Sequence, residues 1–126
     1  MPTTPDTEAT EPSDVTRDDF GQKKKRYGKV TMEDGRKAIF QSLTASELAS
    51  WDAGCLDEHG KVNDELLKLQ QPKLLALCLT DKTGKRLFSD DEFQLLADTD
   101  SLIITPIFHA IRKHVGLDRR VDAEKN

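Results

Sequence analysis

The chain has 126 residues, of which 33% are charged, and its formal net charge is -4. This length has room for one domain, and the apolar residues are concentrated between Tyr27 and Leu117. The sequence contains neither an apolar run near the ~20 residues of a membrane span nor a signal-peptide core, so we expect a soluble protein without a membrane partner.

Both ends of the chain are predicted to be disordered tails, 1–26 and 118–126. Residues 1–19 are rich in Pro, Thr, Asp and Glu, with Val15 as the one large aliphatic residue. Such a segment buries too little apolar surface to offset the entropy of ordering it. The last nine residues are similarly polar and are expected to be flexible.

A basic cluster, Lys23-Lys24-Lys25-Arg26, follows the acidic tail. One interpretation is a nucleic-acid arm, acting with a basic face around Arg112, Lys113, Arg119 and Arg120 in a small nucleic-acid-associated regulator. The other is a solvated segment that balances the acidic residues beside it. The second is favoured because the chain is net negative, so no nucleic acid is expected as a partner.

The ordered part is predicted to begin with a β-hairpin. Residues 27–32 and 36–40 flank Glu33-Asp34-Gly35, and Asp-Gly between strand-like runs is a strong hairpin signal. Val30 and Met32 are expected on one face with Ala38 and Phe40 or Ile39. A two-stranded ribbon alone is marginal in water, so the hairpin must lean on helices or on another subunit.

The next segments are typical of helices. Thr44-Ala45-Ser46-Glu47 forms a capping box, and Asn63 is suited to cap a helix that reaches Leu79. Pro72 lies inside that second pattern, where it either kinks the helix or breaks it and sits in the first turn of a restarted one. The restart is favoured.

A glycine turn at 80–85 precedes Ser89, the predicted N-cap of a short helix. The broadest apolar face follows in a last helix that ends at Gly116, and Pro106 is placed near its first turn. The fold class is therefore mainly α: a small helical domain with an N-terminal β-hairpin, spanning 27–117.

The sequence offers no convincing catalytic, cofactor-binding or metal-binding residues. Asp81–Glu92 has the length of a calcium loop, but Thr83 and Lys85 occupy its third and fifth positions, where oxygen ligands are required. His109 and His114 are five residues apart and point away from each other on a helix. Cys55 and Cys78 are expected to be buried thiols. An enzyme is not predicted, and paired acids for acid–base work are disfavoured.

The stretch from Leu74 to Leu117 resembles the tail assembly chaperones of long, non-contractile-tailed bacteriophages of the lambda-like siphophage type. The shared pattern is an apolar helix ending in Leu79-Thr80-Asp81, a glycine turn at Gly84, Leu87-Phe88, the acidic capped helix 89–96 and the apolar helix that ends at Arg112-Lys113-His114-Val115-Gly116-Leu117. The segment 35–48 also looks like the family's strand and helix start. Pro106 in the last helix departs from the family pattern.

The resemblance implies a non-enzymatic assembly factor in the host cell cytoplasm. Members of this family coat the aggregation-prone tape measure protein, help recruit tail tube subunits and are absent from the mature virion. Their function also implies self-association into an oligomer. Family members often have a frameshifted long form, and Glu124-Lys125-Asn126 is encodable by a slippery adenine run.

A chaperone of this kind needs an exposed apolar surface on a soluble body. The candidate client or self-association surface is predicted on the last helix, with the hairpin as a second contact. Its residues are Leu102, Ile103, Ile107, Phe108 and Ile111. Packing of all these side chains inside the domain is the alternative.

Overall fold

A computed structural model describes residues 14–21 and 24–117 of the chain. Its elements are β1 (Tyr27–Thr31), β2 (Lys37–Gln41), α1 (Ala45–Ala53), α2 (Asp64–Leu67), α3 (Gln70–Cys78), β3 (Leu79–Thr80), α4 (Phe93–Ala97) and α5 (Ser101–Val115). Short 3₁₀ turns lie at Arg17–Asp19 and Asp90–Glu92. The predicted fold, mainly helical with an N-terminal hairpin, is confirmed. The disorder predicted for 1–13, 22–23 and 118–126 lies outside the described residues.

The predicted hairpin is present, and its two strands pair antiparallel with Val30 opposite Ala38 and Gly28 opposite Phe40. A third strand, β3, was not predicted from the sequence. Leu79 and Thr80 leave α3 in an extended conformation and pair with β2, which gives the sheet order β1-β2-β3. Two residues are too few to show the alternation that marks a strand, so only the tertiary contact reveals this one.

Three tight turns of the domain share one geometry. They are Met32–Arg36, Asp57–Lys61 and Asp81–Lys85. In each turn the first residue's N–H donates to the fifth residue's carbonyl, and the glycine at the fourth position donates to the first residue's carbonyl. The three glycines have φ of 90°, 77° and 90°. This is a type I turn followed by a left-handed residue, a common way to close a short hairpin.

The helix starts follow the predicted capping residues. The Thr44 N–H donates to Glu47 Oε1 at 2.8 Å, and the Glu47 N–H donates to Thr44 Oγ1 at 3.2 Å, so the capping box of α1 is confirmed. Asn63 Oδ1 likewise accepts the Leu66 N–H at 3.0 Å. The predicted restart at Pro72 is confirmed too: α2 ends at Leu67, and Pro72 lies in the first turn of α3.

The position of Pro106 differs from the prediction. α5 already begins at Ser101, because Asp100 Oδ1 accepts the Leu102 N–H at 2.9 Å and caps it, so Pro106 lies in the second turn. Proline has no N–H to donate to the Leu102 carbonyl four residues earlier, and Leu102 is itself exposed. The helix ends as predicted at Gly116, whose φ is 87°.

The core lies between α3, α5, α4 and the inner face of the sheet. α3 contributes Leu74, Leu75 and Cys78, each with 0% exposure, and α5 contributes Ile111, also with 0% exposure. α5 packs against both α3 and β1. The full buried cluster consists of Phe40, Leu74, Leu75, Ala76, Cys78, Leu79, Leu96, Ile104, Ile107, Ile111 and Leu117.

Candidate protein-binding surface

The structure divides the five residues predicted as a binding surface on α5. Leu102 is 79% exposed and Ile103 is 47% exposed. Ile107 and Ile111 belong to the core, with 6% and 0% exposure, and Phe108 is half-buried against it. The exposed part of the predicted surface is therefore only the first turn of the helix.

Helical geometry explains this division. Ile104, Ile107 and Ile111 are spaced by three and four residues, so their side chains share the face that packs on the core. Leu102 lies about 200° around the helix from Ile104, and it projects into solvent. The apolar run in the sequence is continuous, but a helix turns only part of such a run inward.

A third exposed aliphatic side chain lies just before α5. Leu95 in α4 is 59% exposed, whereas its neighbour Leu96 is buried in the core. α4 ends at Ala97, so only residues 98–100 separate the two helices, and Thr99 Oγ1 donates to the Leu95 carbonyl at 2.8 Å. We name Leu95, Leu102 and Ile103 the α5 patch. In the sequence, Leu95 and Leu96 are adjacent apolar positions of this helix, and no local signal separates them.

Acidic side chains surround the link between α4 and α5. Asp91, Asp98 and Asp100 are all exposed. Hydrogen bonding from the Ser89 side chain lowers the pKa of the Asp91 carboxyl. Gln94 Nε2 donates to Asp98 Oδ1 at 3.2 Å. Asp98 and Asp100 lie in the link between the helices that carry Leu95 and Leu102, and Asp100 caps the turn that carries Leu102 and Ile103.

The apolar face of the hairpin packs against the core of the domain. Val30, Met32 and Ala38 are half-buried and pack against the core cluster. On the other face Tyr27 is 53% exposed. A Cβ added at Gly84 would lie 2.8 Å from the Tyr27 hydroxyl, so this side chain reaches the turn after β3. The hairpin thus offers Tyr27, and not its apolar stripe, for a second contact.

Two residues of the basic cluster have partners inside the domain. Lys25 forms an ion pair with Glu47. Burial tends to raise the pKa of Glu47, but hydrogen bonds from Lys25 and Thr44 outweigh it, and the net pKa is lowered. Arg26 donates to the His114 carbonyl at 3.0 Å. Lys24 is exposed, and Lys23 lies outside the described residues.

A second set of exposed apolar side chains lies around the turn between α1 and α2. Leu56 is 39% exposed and faces Val62 across an antiparallel bridge. Val62 is 57% exposed and Leu67 is 50% exposed. In the sequence, 57–61 is a polar connection and Leu67 falls among the apolar positions of its helix, so no local pattern identifies this set.

A groove of about 480 Å³ separates α1 from α3 and the turn before α4. Reciprocal hydrogen bonds join its walls: Trp51 Nε1 donates to the Gln70 carbonyl at 2.9 Å, and Gln70 Nε2 donates to the Trp51 carbonyl at 2.6 Å. Arg86 Nη2 donates to the Ala76 carbonyl at 2.7 Å, near the end of α3, and forms an ion pair with Asp90 at 2.8 Å. These polar groups hold helix ends and neighbouring elements together.

The acidic loop considered for calcium is a hydrogen-bonded turn. Asp81 Oδ1 accepts from the Thr83 N–H at 2.8 Å, the Thr83 hydroxyl at 2.6 Å and the Lys85 N–H at 3.0 Å. These hydrogen bonds, with that of the Thr83 hydroxyl the strongest, lower the pKa of Asp81. Over 14–21 and 24–117, no group of three or more His, Cys, Asp or Glu side chains could hold a metal ion.

Both cysteines are free thiols. Cys78 is buried as predicted, and burial raises the pKa of its thiol to about 12, which keeps it protonated at neutral pH. Cys55 is only half-buried, and its Sγ lies 3.4 Å from the Asp52 carbonyl.

Among the helices described, none is long and apolar enough to cross a membrane. Comparison of the chain with protein-family models, with curated proteins and with solved structures found no match.

Proposed function

We propose that this chain is a non-enzymatic phage tail assembly chaperone. It binds the tape measure protein, keeps it soluble and helps to recruit tail tube subunits to it. It acts as an oligomer in the host cell cytoplasm and is absent from the mature virion. The proposal starts from the resemblance over Leu74 to Leu117 in the order of apolar helix, glycine turn, capped acidic helix and apolar helix.

One structural observation supports this function above the others: the exposed aliphatic side chains of the α5 patch. Leu102 is 79% exposed and Leu95 is 59% exposed, although they flank the well-buried Leu96 and Ile104. Isolated exposed leucines are common, but neighbouring ones at a helix start are suited to bind an amphipathic client helix. Several weak contacts of this kind, repeated along an oligomer, add up to firm retention of a long client.

Co-expression with the tape measure protein encoded downstream tests the proposal. We expect the client to become soluble and to co-purify with the wild-type chain. Leu102→Ser with Ile103→Ser is expected to reduce the retained client roughly tenfold, since two exposed aliphatic contacts are lost. The free energy of unfolding of this variant should stay within about 1 kcal/mol of wild type.

Val62→Ser is the matched control, because Val62 is an exposed aliphatic residue of the other apolar set. Retention of the client should survive this change. If the client remains insoluble with the wild-type chain, the proposed function is wrong. If Val62→Ser abolishes retention and the α5 variant does not, the client surface lies around Leu56, Val62 and Leu67.

The alternative, a nucleic-acid-associated regulator, has less support from the geometry. Lys25 and Arg26 already have protein partners in Glu47 and the His114 carbonyl. Phosphate binding would have to compete with these contacts. A mobility-shift titration at low salt tests this alternative, because binding driven by phosphates weakens steeply as salt rises. A scaffold that stays in the particle is distinguished by mass spectrometry of mature virions.

A further inference from the structure

The stretch of sequence that carries the α5 patch is acidic. Other elements bring two cations to its first part: Lys73 Nζ lies 5.1 Å from the centre of the Phe93 ring, and Arg86 forms an ion pair with Asp90. From 87 to 111 the sequence carries five acidic residues and no lysine or arginine. Three of these acids, Asp91, Asp98 and Asp100, are exposed near the helix starts that carry Leu95 and Leu102. The next basic residues along the chain are Arg86 and Arg112.

Local structural roles of these acids leave their negative charge in place. Asp100 caps α5 through one oxygen, Oδ1, which accepts the Leu102 N–H at 2.9 Å. Asp98 accepts one hydrogen bond from the neutral Gln94 side chain. The cap uses only Oδ1 of Asp100, so the second carboxylate oxygen is available to a cationic partner.

This charge pattern discriminates between two kinds of occupant. In a two-fold pairing of two copies centred on the patch, each copy would bring its own Asp98 and Asp100 against those of its twin. Like charges face each other in such an interface, which disfavours association. A partner that carries positive charge beside its apolar residues would instead be attracted by Asp98 and Asp100.

We infer that the α5 patch docks a basic amphipathic helix. Its apolar side chains cover Leu95, Leu102 and Ile103, and its Lys or Arg residues face Asp98 and Asp100. The inference rests on the proposed function only for the identity of the client. If the client is the tape measure protein, the bound segment is a helix whose apolar stripe is flanked by basic residues.

Two synthetic peptides test the docking site on the intact chain, without any phage protein. One is an amphipathic Leu/Lys helix, and the other keeps the same leucine positions but carries Glu in place of Lys. By titration calorimetry near 50 mM salt, we expect the Leu/Lys peptide to bind at least about tenfold more tightly than the Leu/Glu peptide. This preference should shrink in about 0.5 M salt, which screens exposed charges.

Asn substitutions remove charge while keeping the local hydrogen bonds. Asn is as good a helix cap as Asp, so Asp98→Asn with Asp100→Asn should leave α5 intact. We expect this variant to bind the Leu/Lys peptide roughly threefold to tenfold more weakly. Glu33→Gln with Glu58→Gln removes two exposed charges elsewhere and should leave binding unchanged. Leu102→Ser should weaken both peptides, since it removes the apolar contact that they share.

The outcomes separate this inference from the proposed function. If the tape measure protein does not co-purify but the Leu/Lys peptide binds with the expected charge dependence, the proposed function fails and the docking inference stands. The inference is overturned if both peptides bind alike or if Asp98→Asn with Asp100→Asn has no effect. A wild-type dimer that Leu102→Ser dissociates would also overturn it, because a second copy would then occupy the patch.

Discussion

Two segments of the domain share the same order of local sequence features but differ in how deeply their side chains are buried. The first turn unit, 55–67, and the second turn unit, 78–97, each begin with Cys-Leu, continue through an Asp-x-x-Gly-Lys turn and reach a capped helix start rich in acids. In both turns the aspartate Oδ1 accepts the N–H groups of the second and fourth following residues, at 2.8 and 3.0 Å. The turn geometry is thus set by local sequence.

The two units differ in what lies beside them. Leu79 and Thr80 of the second unit are 5% and 2% exposed, because they pair with β2 and close the sheet. Leu56 and Val62 of the first unit pair only with each other and remain exposed. The second unit has one additional residue, Thr80, between its leucine and its aspartate. Local sequence therefore specifies a turn, and a partner strand decides whether that turn becomes part of the core.

The largest contrast should come from the leucines that follow the two cysteines. Leu79→Ala is expected to lower the free energy of unfolding by about 2–5 kcal/mol, since it empties a buried site. Leu56→Ala should lower it by less than about 1 kcal/mol because its side chain is already partly hydrated. Urea denaturation followed by circular dichroism measures both. Equal losses would show that the first unit is as firmly docked as the second.

The two turn glycines sharpen the comparison. Gly60→Ala forces alanine into a left-handed conformation with nothing within 4 Å of its Cβ, and we expect a loss of about 1–2 kcal/mol. Gly84→Ala imposes the same backbone strain and also places the new Cβ 2.8 Å from the Tyr27 hydroxyl. We therefore expect it to lower the free energy of unfolding by about 1 kcal/mol more than Gly60→Ala does.

Tyr27→Phe tests the origin of this extra loss, because the next nearest tyrosine atom, Cζ, is 3.4 Å from the added Cβ. In a double-mutant cycle, the difference between Gly84→Ala and Gly60→Ala should disappear in the Tyr27→Phe background. If it persists, Tyr27 is not the cause.

The smallest effect concerns acid stability of the second turn. The pKa of Asp81 is lowered in the folded chain by hydrogen bonds from the Thr83 hydroxyl and the Lys85 N–H. The ionised Asp81 carboxylate therefore contributes its full stabilisation at pH values above the pKa that this carboxyl has in the unfolded chain. The stabilisation is lost as the pH falls through the lower pKa that the same carboxyl has in the folded chain.

Asp81→Asn keeps the accepting oxygen but does not titrate. The wild-type advantage over this variant should be largest near pH 6 and should vanish toward about pH 2. Unfolding free energies measured across that range check the sign. An advantage that is constant or grows in acid would contradict the role assigned to this carboxylate.

Much of the fold could be predicted because its signals are local. The capping residues Thr44 and Asn63, the Asp-Gly hairpin and the stop at Gly116 each act within a few residues of the chain. Ser89, the predicted N-cap of the short helix, instead precedes the 3₁₀ turn Asp90–Glu92, and α4 begins at Phe93. β3 could not be predicted from two residues, because its existence depends on the edge of β2. The place of Pro106 in the second turn of α5 was not predicted: Asp100 caps the helix just before Ser101, and the helix continues through the proline.

The candidate surface was only partly predictable for a related reason. The run from Leu102 to Ile111 shows an apolar helix, but which side faces the core depends on where α3 and β1 lie. Ile107 and Ile111 are buried by those neighbours, whereas Leu102 and Ile103 are not. Leu95 and Leu96 have identical side chains at adjacent positions, and only the packing of α4 distinguishes them.

The reciprocal hydrogen bonds between Trp51 and Gln70 give the molecule a built-in optical reporter. Trp51 is the single tryptophan of the chain, so intrinsic fluorescence comes chiefly from the junction of α1 with α3. Opening of that junction would expose the indole to water and shift its emission to longer wavelength. Because Trp51 is not one of the residues of the α5 patch, a shift of this signal on peptide binding would show that occupation of the patch changes the junction of α1 with α3.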